Sequence, residues 1–383
     1  MLLTEDQQAL VEVARRFAQE RLRPEYQRRE LQGNIDRALL REMGSMGLLG
    51  LELPKQYGGL AEGALTTGLV TEAIAYGDFN VSFIMLLCSL LCPILHRNAK
   101  ADLAMYWNRR CVAGEALLAL GLTEPRGGAD AANLAMKARK SGDSYILSGE
   151  KTSITLADQC DAIIVFARTG SPGDGARGVS AFLVPIDLPG IERTRFQDLG
   201  GKILGRGSVF FDDVRVPADN LLGREGEGFT EVMKGFDYSR TIIALQCVAA
   251  AQASIDETWQ YVKERRAMNT PIVQFQGVSF PLAEYETQLA ACRQLSYHGL
   301  ALKDAGLPHT VESAMVKWWG PKIAVDAIHQ CLLTFGHYGW SHDLPHQQRL
   351  RDVMGLELGD GPAQIMKLII ARERGGRLAV QYR

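Results

Sequence analysis

The sequence has little that points to a nucleic-acid partner, a disulfide scaffold or a metal centre. Its 383 residues carry 42 basic and 44 acidic side chains, and the net charge of −2 leaves no basic face for a nucleic-acid backbone. The seven cysteines are odd in number and scattered along a long chain, which favours reduced thiols in an intracellular compartment. We also expect no metal site. The histidine-rich stretch has no common metal-ligand spacing and no matched cysteine or carboxylate partners; its members are His329, His337, His342 and His346.

The sequence also lacks a long uninterrupted apolar run, an internal repeat and a low-complexity tract, and we expect no leader segment. The longest apolar run, Val81 to Leu95, is expected to be too short to span a bilayer and contains Pro93. A helix start signal appears almost at once, since Thr4 and Gln7 match a capping box. We therefore expect a cytoplasmic protein with no membrane segment. No Gly-x-Gly-x-x-Gly follows a strand and opens a helix, which argues against a nicotinamide enzyme.

The length predicts two or three domains, and the hydrophobic periodicity divides the chain into three regions. Residues 1–112 have a helical pattern, with Leu10, Ala14 and Phe17 on one face. Residues 113–225 change to short strands and turns, which predicts a compact β-barrel-like domain. Residues 226–383 return to helical patterns. The predicted fold is therefore α+β, with an N-terminal helical domain, a central β domain and a C-terminal four-helix bundle.

Individual strands and long helices can also be placed. The strands of the central region are predicted at Tyr145 to Leu147, Ala162 to Ala167, Ala181 to Val184 and Val209 to Val214. The helices of the last region are predicted at Ile242 to Arg265, Pro281 to Ala305, Val311 to Phe335 and Pro362 to Arg374. The third helix must bend or break near Pro321, because proline removes a helix hydrogen bond and clashes with the preceding turn.

Three segments carry motifs that are more informative than the composition. The first, Gly121 to Asp130, reads Gly-Leu-Thr-Glu-Pro-Arg-Gly-Gly-Ala-Asp, and its adjacent Gly127 and Gly128 let backbone N–H groups approach a large anionic ligand. The second, Gly149 to Thr155, reads Gly-Glu-Lys-Thr-Ser-Ile-Thr, and the third runs from Val209 to Gly223. Together with the order helical, β, helical, these motifs resemble the acyl-CoA dehydrogenase family over essentially the whole chain.

The resemblance implies that FAD is the cofactor. By position, its contacts would come from Leu122, Thr123, Ala129, Ser153, Thr155, Arg265, Gly336 and Gly339. The chain departs from the family pattern at several places. Arg126 replaces a glycine, Ala129 lacks a hydroxyl, and Ser153 stands where the family usually has an aromatic ring. Further departures occur at Met268, Asn269, Leu333 and His337. These changes leave three possibilities open, namely altered contacts with the cofactor, weaker cofactor binding, or loss of the cofactor.

The resemblance also places a catalytic base at Asp360, within the sequence Gly-Asp-Gly-Pro. The alternative is an acidic residue that stabilises the N-terminus of the last helix, with Pro362 as the first helical residue. Substrate contacts would come from Asp237, Arg240 and Gly361, although Asp237 and Arg240 at the start of the long helix would equally suit a surface i,i+3 pair. Because aspartate is one methylene shorter than the family's usual glutamate, we expect a cyclic, branched or otherwise unusual acyl group.

The activity implied by the resemblance is that of an FAD-dependent acyl-CoA dehydrogenase, which forms the 2-enoyl thioester. Asp360 would remove the α-proton while the β-hydrogen passes to the flavin as hydride, and an electron-transfer flavoprotein or similar acceptor would take the electrons. A homotetramer is implied as well. The same machinery could instead act as an enoyl-CoA reductase or on a carrier-protein thioester. The departures at the cofactor positions also keep open a non-catalytic, degenerate subunit.

Overall fold

The computed structural model describes residues 3–379, apart from the side chains of residues 172, 231, 232, 234 and 377. The chain forms two compact units, and each is built from segments that are distant in sequence. Among the described residues, unit 1 consists of residues 3–31, Ala64–Phe83 and residues 237–379, and unit 2 consists of Gln32–Gly63 and Ile84–Phe236.

Six helices precede the sheet. They are α1 (Glu5–Phe17), α2 (Tyr26–Gln32), α3 (Arg37–Ser45), α4 (Ala64–Gly77), α5 (Phe79–Asn98) and α6 (Ala101–Val112). The predicted capping box at the start of α1 is confirmed. The Thr4 hydroxyl accepts from the Gln7 N–H at 3.2 Å, and the Gln7 side chain accepts from the Thr4 N–H at 3.1 Å. These two bonds satisfy N–H groups that an α-helix leaves without partners, so the local sequence alone determines where α1 begins.

The apolar helix α5 corrects our expectation for the longest apolar run. It continues for 20 residues, with Pro93 inside it and a mean hydropathy of 1.9 over its apolar window. Length and composition would therefore allow α5 to cross a membrane, and among residues 3–379 no other helix meets that test. However, 78% of the apolar window is buried inside the protein. This burial is that of a core helix, whose packing offsets the hydrogen bond lost at Pro93.

An eight-stranded sheet follows and belongs to unit 2. Its strands are β1 (Leu118–Gly121), β2 (Lys137–Ser141), β3 (Ser144–Thr155), β4 (Ala162–Arg168), β5 (Val179–Pro185), β6 (Ile191–Arg193), β7 (Arg206–Pro217) and β8 (Leu221–Leu222). Their order is β6-β7-β3-β2-β4-β5-β8, with β1 beside β4. All four predicted strands are confirmed. The fully buried β4 lies within the sheet, as its unbroken apolar sequence indicates.

Five helices and one hairpin complete the chain. They are α7 (Gly228–Glu264), the hairpin of β9 (Arg266–Ala267) and β10 (Thr270–Pro271), α8 (Gln276–Asp304), α9 (Thr310–Phe335), α10 (His346–Leu358) and α11 (Ala363–Gly375). The four predicted helices are present, and α9 packs against α8, α10 and α11. The α+β fold with helical N-terminal and C-terminal parts around a central sheet is thus confirmed.

The C-terminal helices differ from the prediction in two ways. The helix α9 is continuous through Pro321, so the break offered by the prediction is absent, while the bend stays a prediction. A Cβ added at Gly320 would lie 3.0 Å from the Cβ of Ala244, so α9 packs closely on α7 there and this packing offsets one lost hydrogen bond. The helix α10 was not predicted, because its buried face is mostly polar and carries no apolar stripe; it consists of His346, Gln348, Arg349, Asp352 and Val353.

Candidate functional site

In unit 2, the Gly121 to Asp130 motif forms the loop between β1 and β2. Leu122 is buried and Thr123 half-buried, and the Thr123 carbonyl accepts from the Thr152 N–H of β3 at 2.9 Å. Gly127 has a φ of +150°, and its own N–H donates to the Glu124 carbonyl at 3.0 Å. That N–H therefore closes the turn rather than pointing to a ligand, and the loop is fixed against the strand that carries the second motif.

A buried ion pair joins the same two motifs, and the sequence did not reveal it. Lys151 is fully buried; its Nζ donates to Glu124 Oε1 at 2.7 Å and to the Leu122 carbonyl at 3.2 Å. The Glu124 carboxylate also accepts from the N–H groups of Ala135 at 2.6 Å and Met136 at 2.9 Å. The pair is thus the centre of a hydrogen-bonded cluster beneath the loop.

The two partners of this pair respond differently to their surroundings. Burial lowers the pKa of Lys151 to about 8, although its hydrogen bond to Glu124 opposes the shift. Burial also acts to raise the pKa of Glu124, but the Lys151 hydrogen bond and charge and two backbone N–H donors outweigh it, so this pKa is lowered. Glu124 is better satisfied because it has three donors and is less deeply buried. Removing Lys151 would therefore leave a buried carboxyl group without its counter-ion.

The end of β3 presents two of the predicted cofactor residues. The register against β7 shifts between Lys151 and Ile154, which places one extra residue in β3. Ser153 lies in this bulge with a φ of +58° and is exposed, and Arg206 donates to its hydroxyl at 3.5 Å. Thr155 is half-buried and lies opposite Arg206. The bulge therefore turns the serine outward and leaves the threonine at the rim of the sheet.

The cofactor residues of unit 2 suit a ligand that lies on the surface of the unit. The hydroxyls of Thr123 and Thr155 are half-buried and have no partner within residues 3–379. A cavity of about 80 Å³ lies under the loop, with Leu122 and Gly127 among its lining residues, and Ala129 stands exposed beside it. This volume is well below the several hundred Å³ of a pocket that encloses a whole ligand, so the loop contributes one wall. A flat heteroaromatic group with hydrogen-bonding edges fits such a surface.

In unit 1, Asp237 and Arg240 lie inside α7 rather than at its start, because the helix begins at Gly228. Arg240 is 9% exposed, and its Nη1 donates to Asp237 Oδ1 at 2.9 Å. The other Asp237 oxygen accepts from the Thr310 hydroxyl at 2.6 Å. The i,i+3 pair of the alternative is therefore present, but it is partly buried and held from both sides.

The turn that carries Asp360 lies beside this pair. Asp360 has a φ of +55° and Gly361 a φ of +95°, so the chain is left-handed at two consecutive residues. The Ser239 hydroxyl donates to Asp360 Oδ2 at 2.9 Å, and Arg240 Nε donates to the Asp360 carbonyl at 3.5 Å. Pro362 precedes the first residue of α11 and is not its first helical residue as predicted. The structure thus brings Asp237, Arg240, Asp360 and Gly361 together in one cluster.

A fully buried lysine of α9 completes this cluster, and the sequence did not reveal it either. Lys317 is 1% exposed, and its Nζ donates to the carbonyls of Leu356 at 2.7 Å and Gly361 at 3.1 Å. Burial lowers the pKa of Lys317, and the charge of Asp360 is the largest opposing influence. The only sequence signal was a lysine in an otherwise apolar helical stretch, which also suits an exposed helix position.

The remaining cofactor candidates lie at another end of unit 1. Arg265 follows α7 directly and is exposed, while Gly336 ends α9 with a φ of +62°. Tyr261 and Phe335 stack at 4.1 Å between ring centroids, so these two helix ends lie side by side. Gly339 is buried, since a Cβ there would approach the Leu332 carbonyl oxygen to 2.2 Å.

The hairpin after Arg265 explains one departure from the family motif. Met268 and Asn269 form its two-residue loop with φ values of +51° and +61°. Two consecutive positive φ values are typical of a type I′ turn, for which asparagine is well suited. Met268 is 91% exposed at the tip.

No group of three or more metal-ligating side chains is assembled within residues 3–379. His346, one of the clustered histidines, is buried against Phe335 at 4.6 Å between ring centroids. Burial, followed by the charge of Arg349, lowers the pKa of His346 to about 4. This histidine is therefore a neutral core residue at physiological pH.

Family models match three consecutive parts of the chain. The acyl-CoA dehydrogenase N-terminal domain matches residues 4–115, the middle domain matches residues 119–214 and the C-terminal domain matches residues 226–374.

Three curated relatives agree with this assignment. The chain is 32% identical to the probable acyl-CoA dehydrogenase YngJ of Bacillus subtilis over 374 residues, covering 97% of this chain and 98% of that protein. It is 32% identical to the mitochondrial short-chain specific acyl-CoA dehydrogenase of Bos taurus, covering 100% and 92%. It is 31% identical to the 3-(aryl)acrylate reductase of Clostridium sporogenes, covering 97% and 99%.

Solved structures share the whole fold. Butyryl-CoA dehydrogenase from Megasphaera elsdenii superposes with a TM-score of 0.93 at 30% identity, covering 99% of this chain and 100% of that chain. A chain in a structure described as an electron transferring flavoprotein of Acidaminococcus fermentans gives a TM-score of 0.94 at 31% identity, covering 98% and 99%. A glutaryl-CoA dehydrogenase from Mycobacterium smegmatis in complex with FADH2 gives 0.93 at 25% identity, covering 99% and 97%.

Proposed function

The chain belongs to the acyl-CoA dehydrogenase family, and from this premise we propose that it oxidises an acyl-CoA thioester to the 2-enoyl form with Asp360 as the base. It is an oxidoreductase acting on CH–CH groups, and its cofactor is FAD. The proposal concerns three finer points, namely the base, the acyl group and the partners.

The geometry of the turn at Asp360 is the observation that carries the proposal. Ser239 occupies one carboxylate oxygen, Oδ2, so Oδ1 is the oxygen that can accept the α-proton. Within residues 3–379, Oδ1 has no partner that would compete for it. Arg240 and Lys317 each donate to a backbone carbonyl of the turn, at Asp360 and at Gly361, so the turn is held from two sides. A left-handed non-glycine residue held in this way is typical of a functional site.

We propose that the unit 2 motifs hold the cofactor. Leu122 would supply an apolar contact, and Thr123, Ser153 and Thr155 would supply hydroxyls to the edge of the flavin ring. Bound FAD supplies the acceptor for the β-hydrogen and its electron pair. The buried pair of Glu124 and Lys151 keeps the loop and β3 in register beneath these hydroxyls. By the family resemblance, Arg265 of unit 1 is proposed to contact FAD across a subunit interface, and Gly336 and Gly339 are proposed to form a second cofactor patch.

We propose a cyclic or branched acyl group as the substrate class. The aspartate carboxylate reaches one methylene less far than a glutamate, so the α-carbon must come closer to the backbone of the turn. A branched or cyclic substituent that occupies the acyl site beside the α-carbon would hold the α-carbon in that position. Asp237 and Arg240 are proposed to contact the thioester ligand near Gly361, where a larger residue would meet Met366 Cε at 2.6 Å.

The reverse direction is the second candidate. The relative from Clostridium sporogenes is named a 3-(aryl)acrylate reductase, so reduction of a conjugated double bond occurs among sequences this similar. In that direction Asp360 would deliver the proton to the α-carbon. Comparing the two half-reactions with the same ester and its enoyl product decides between the directions.

The main test is the visible spectrum of the purified protein during anaerobic titration with a panel of esters. The panel comprises butyryl-, isobutyryl-, cyclohexanecarbonyl- and 3-phenylpropionyl-CoA. We expect at least one ester to bleach the flavin absorbance, and cyclohexanecarbonyl- or isobutyryl-CoA to do so faster than butyryl-CoA. Asp360→Asn should keep the flavin but bleach about 10²–10⁴-fold more slowly. Asp343→Asn, an exposed aspartate, serves as the control and should match the wild type. Undiminished bleaching by Asp360→Asn would show that the proposed base is wrong.

We infer from the family resemblance that an electron-transfer flavoprotein takes the electrons and that the protein is a homotetramer. Large exposed apolar side chains in unit 1 support an association surface; they include Met268 and Trp340, which is 87% exposed. Reduction of a purified electron-transfer flavoprotein in a coupled assay and light scattering of the holoenzyme test the two statements separately. A monomer at micromolar concentration would contradict the second.

A further inference from the structure

Lys317 bridges the two sides of the turn that carries Asp360. Its ammonium lies 2.7 Å from the Leu356 carbonyl, before Asp360, and 3.1 Å from the Gly361 carbonyl, after it. Only four residues, 357–360, lie between these two acceptors. A single side chain from α9 therefore fixes both ends of the segment.

The first of these bonds is made in the last turn of α10. In a continuing α-helix the Leu356 carbonyl would accept from the N–H of residue 360. Lys317 donates to that carbonyl instead; the chain is already extended at Gly359, and Asp360 follows with a φ of +55°. The second bond holds the Gly361 carbonyl, so the backbone cannot relax back into helical geometry. Lys317 thus stabilises the left-handed conformation that presents the Asp360 side chain.

A purely space-filling role does not account for a lysine at this position. Lys317 is 1% exposed and forms no ion pair within residues 3–379, and its ammonium donates to two backbone carbonyls instead. Burying an ammonium without a counter-ion is unfavourable, and a methionine would fill a similar volume without the desolvation of a charge. The charged groups that act on it from neighbouring elements are Arg240 of α7, Glu357 of α10 and Asp360 itself. The cation is therefore placed where its charge and its donors both act on the turn.

We propose that Lys317 is a positioning residue for the reaction, which holds the 357–361 turn so that the Asp360 carboxylate meets the α-carbon of the thioester. This inference rests on the proposed function, because it takes Asp360 as the base. It predicts a specific kinetic defect when the lysine is lost. Ligand and cofactor binding should persist, while the step that removes the α-proton should slow.

The experiment compares Lys317→Met with Lys322→Met in the FAD-loaded enzyme. Lys322 lies on the same helix but is exposed and pairs with Asp326, so its loss should change nothing. Both variants are mixed in a stopped-flow instrument with the panel ester that bleaches the wild type fastest, unlabelled and deuterated at the α-carbon. For Lys317→Met we expect bleaching to slow about 10²-fold, the effect typical of a misplacement of about 1 Å. Flavin content and the dissociation constant of the enoyl-CoA product should stay within about twofold, far below the tenfold change that would signal a loss of binding energy.

The isotope effect separates positioning from general damage. If Asp360 is misplaced, proton removal limits the rate, and the α-deuterium isotope effect on bleaching should be larger in Lys317→Met than in the wild type. A wild-type rate and isotope effect in Lys317→Met would overturn the inference. A rate loss matched by an equal loss of flavin or of product affinity would also overturn it, since it would indicate structural damage alone.

A fallback variant and two further outcomes complete the test. If Lys317→Met does not fold, Lys317→Gln keeps amide N–H donors on an uncharged side chain, and the same rate and isotope readouts apply to it. A wild type that no ester bleaches would overturn the proposed function and this inference together. A wild type that is bleached while its Lys317 variant is bleached equally fast would overturn this inference alone.

Discussion

Removal of Lys151 tests whether the buried pair in unit 2 determines the conformation of the cofactor loop. In Lys151→Met, the apolar chain fills the space but the Glu124 carboxylate loses its counter-ion and the Leu122 carbonyl loses a donor. Removing one partner of a buried pair typically costs about 3–5 kcal/mol. Because Glu124 keeps the N–H donors of Ala135 and Met136, we expect a loss near the lower end, about 3 kcal/mol.

A double variant checks the cause of that loss. Replacing both partners, as Lys151→Met with Glu124→Gln, removes the uncompensated charge and should recover most of the stability, to within about 1–2 kcal/mol of the wild type. Lys140→Met, at an exposed lysine of β2, is the matched control and should be within about 0.5 kcal/mol. The single variant should also lose flavin more readily, because the loop of Leu122 and Thr123 is no longer anchored.

Two measurements decide this prediction. Urea unfolding followed by circular dichroism gives the change in free energy, and hydrogen exchange read by mass spectrometry reports on the loop itself. In Lys151→Met the amide hydrogens of Ala135, Met136 and Thr152 should exchange faster than in the wild type. The exchange rates of the amide hydrogens in β5 should change little. A loss below about 1 kcal/mol, the upper limit for a typical exposed pair, would refute the reasoning.

Three further predictions concern other elements. Gly339→Ala should lower the melting temperature clearly, because its Cβ would lie 2.2 Å from the Leu332 carbonyl oxygen, whereas Gly355→Ala, inside α10 and in open space, should not lower it; equal effects in a thermal melt would contradict this. His346 takes up its proton near pH 4 when folded but near pH 6.5 when unfolded, so stability falls with decreasing pH between these values, by up to about 1.4 kcal/mol per pH unit. His346→Phe should remove this slope in urea melts at pH 7 and pH 5, and an unchanged slope would assign it to other groups. Thr4→Ala removes the capping box and should cost about 1 kcal/mol in the same melts, with no loss indicating that α1 is fixed by packing alone.

The fold could be predicted from the sequence wherever one face of an element is apolar. The all-apolar β4 and the capping box of α1 are determined by local patterns, and the structure confirms them. The helix α10 has no such pattern, because Arg349 and Asp352 are buried and satisfied by partners from distant segments: Glu257 for the arginine, and Tyr26 and Asn80 for the aspartate. Sequence periodicity carries no information about partners of this kind.

In the candidate site, too, some residues could be predicted from the sequence and others could not. Motif resemblance selected Thr123 and Asp360, because a family signature names positions directly. It did not select Lys151 or Lys317, since a lysine in a strand or a helix is usually an exposed residue. Their roles depend on carbonyls and carboxylates from other parts of the chain, which only the three-dimensional structure brings within reach.

The left-handed backbone at Asp360 also limits which amino acids selection can place there. Glycine, asparagine and aspartate adopt this conformation most readily, and aspartate alone among them can act as a base at neutral pH. A glutamate carboxylate would extend further from the backbone, but glutamate adopts this backbone conformation less readily. The aspartate at position 360 therefore has a shorter side chain and a more favourable backbone conformation. A saturation library at this codon should therefore return aspartate first, and glutamate only together with changes that reshape the turn. The acyl-group preference of this lineage would then be linked to a backbone angle as much as to the walls of its binding site.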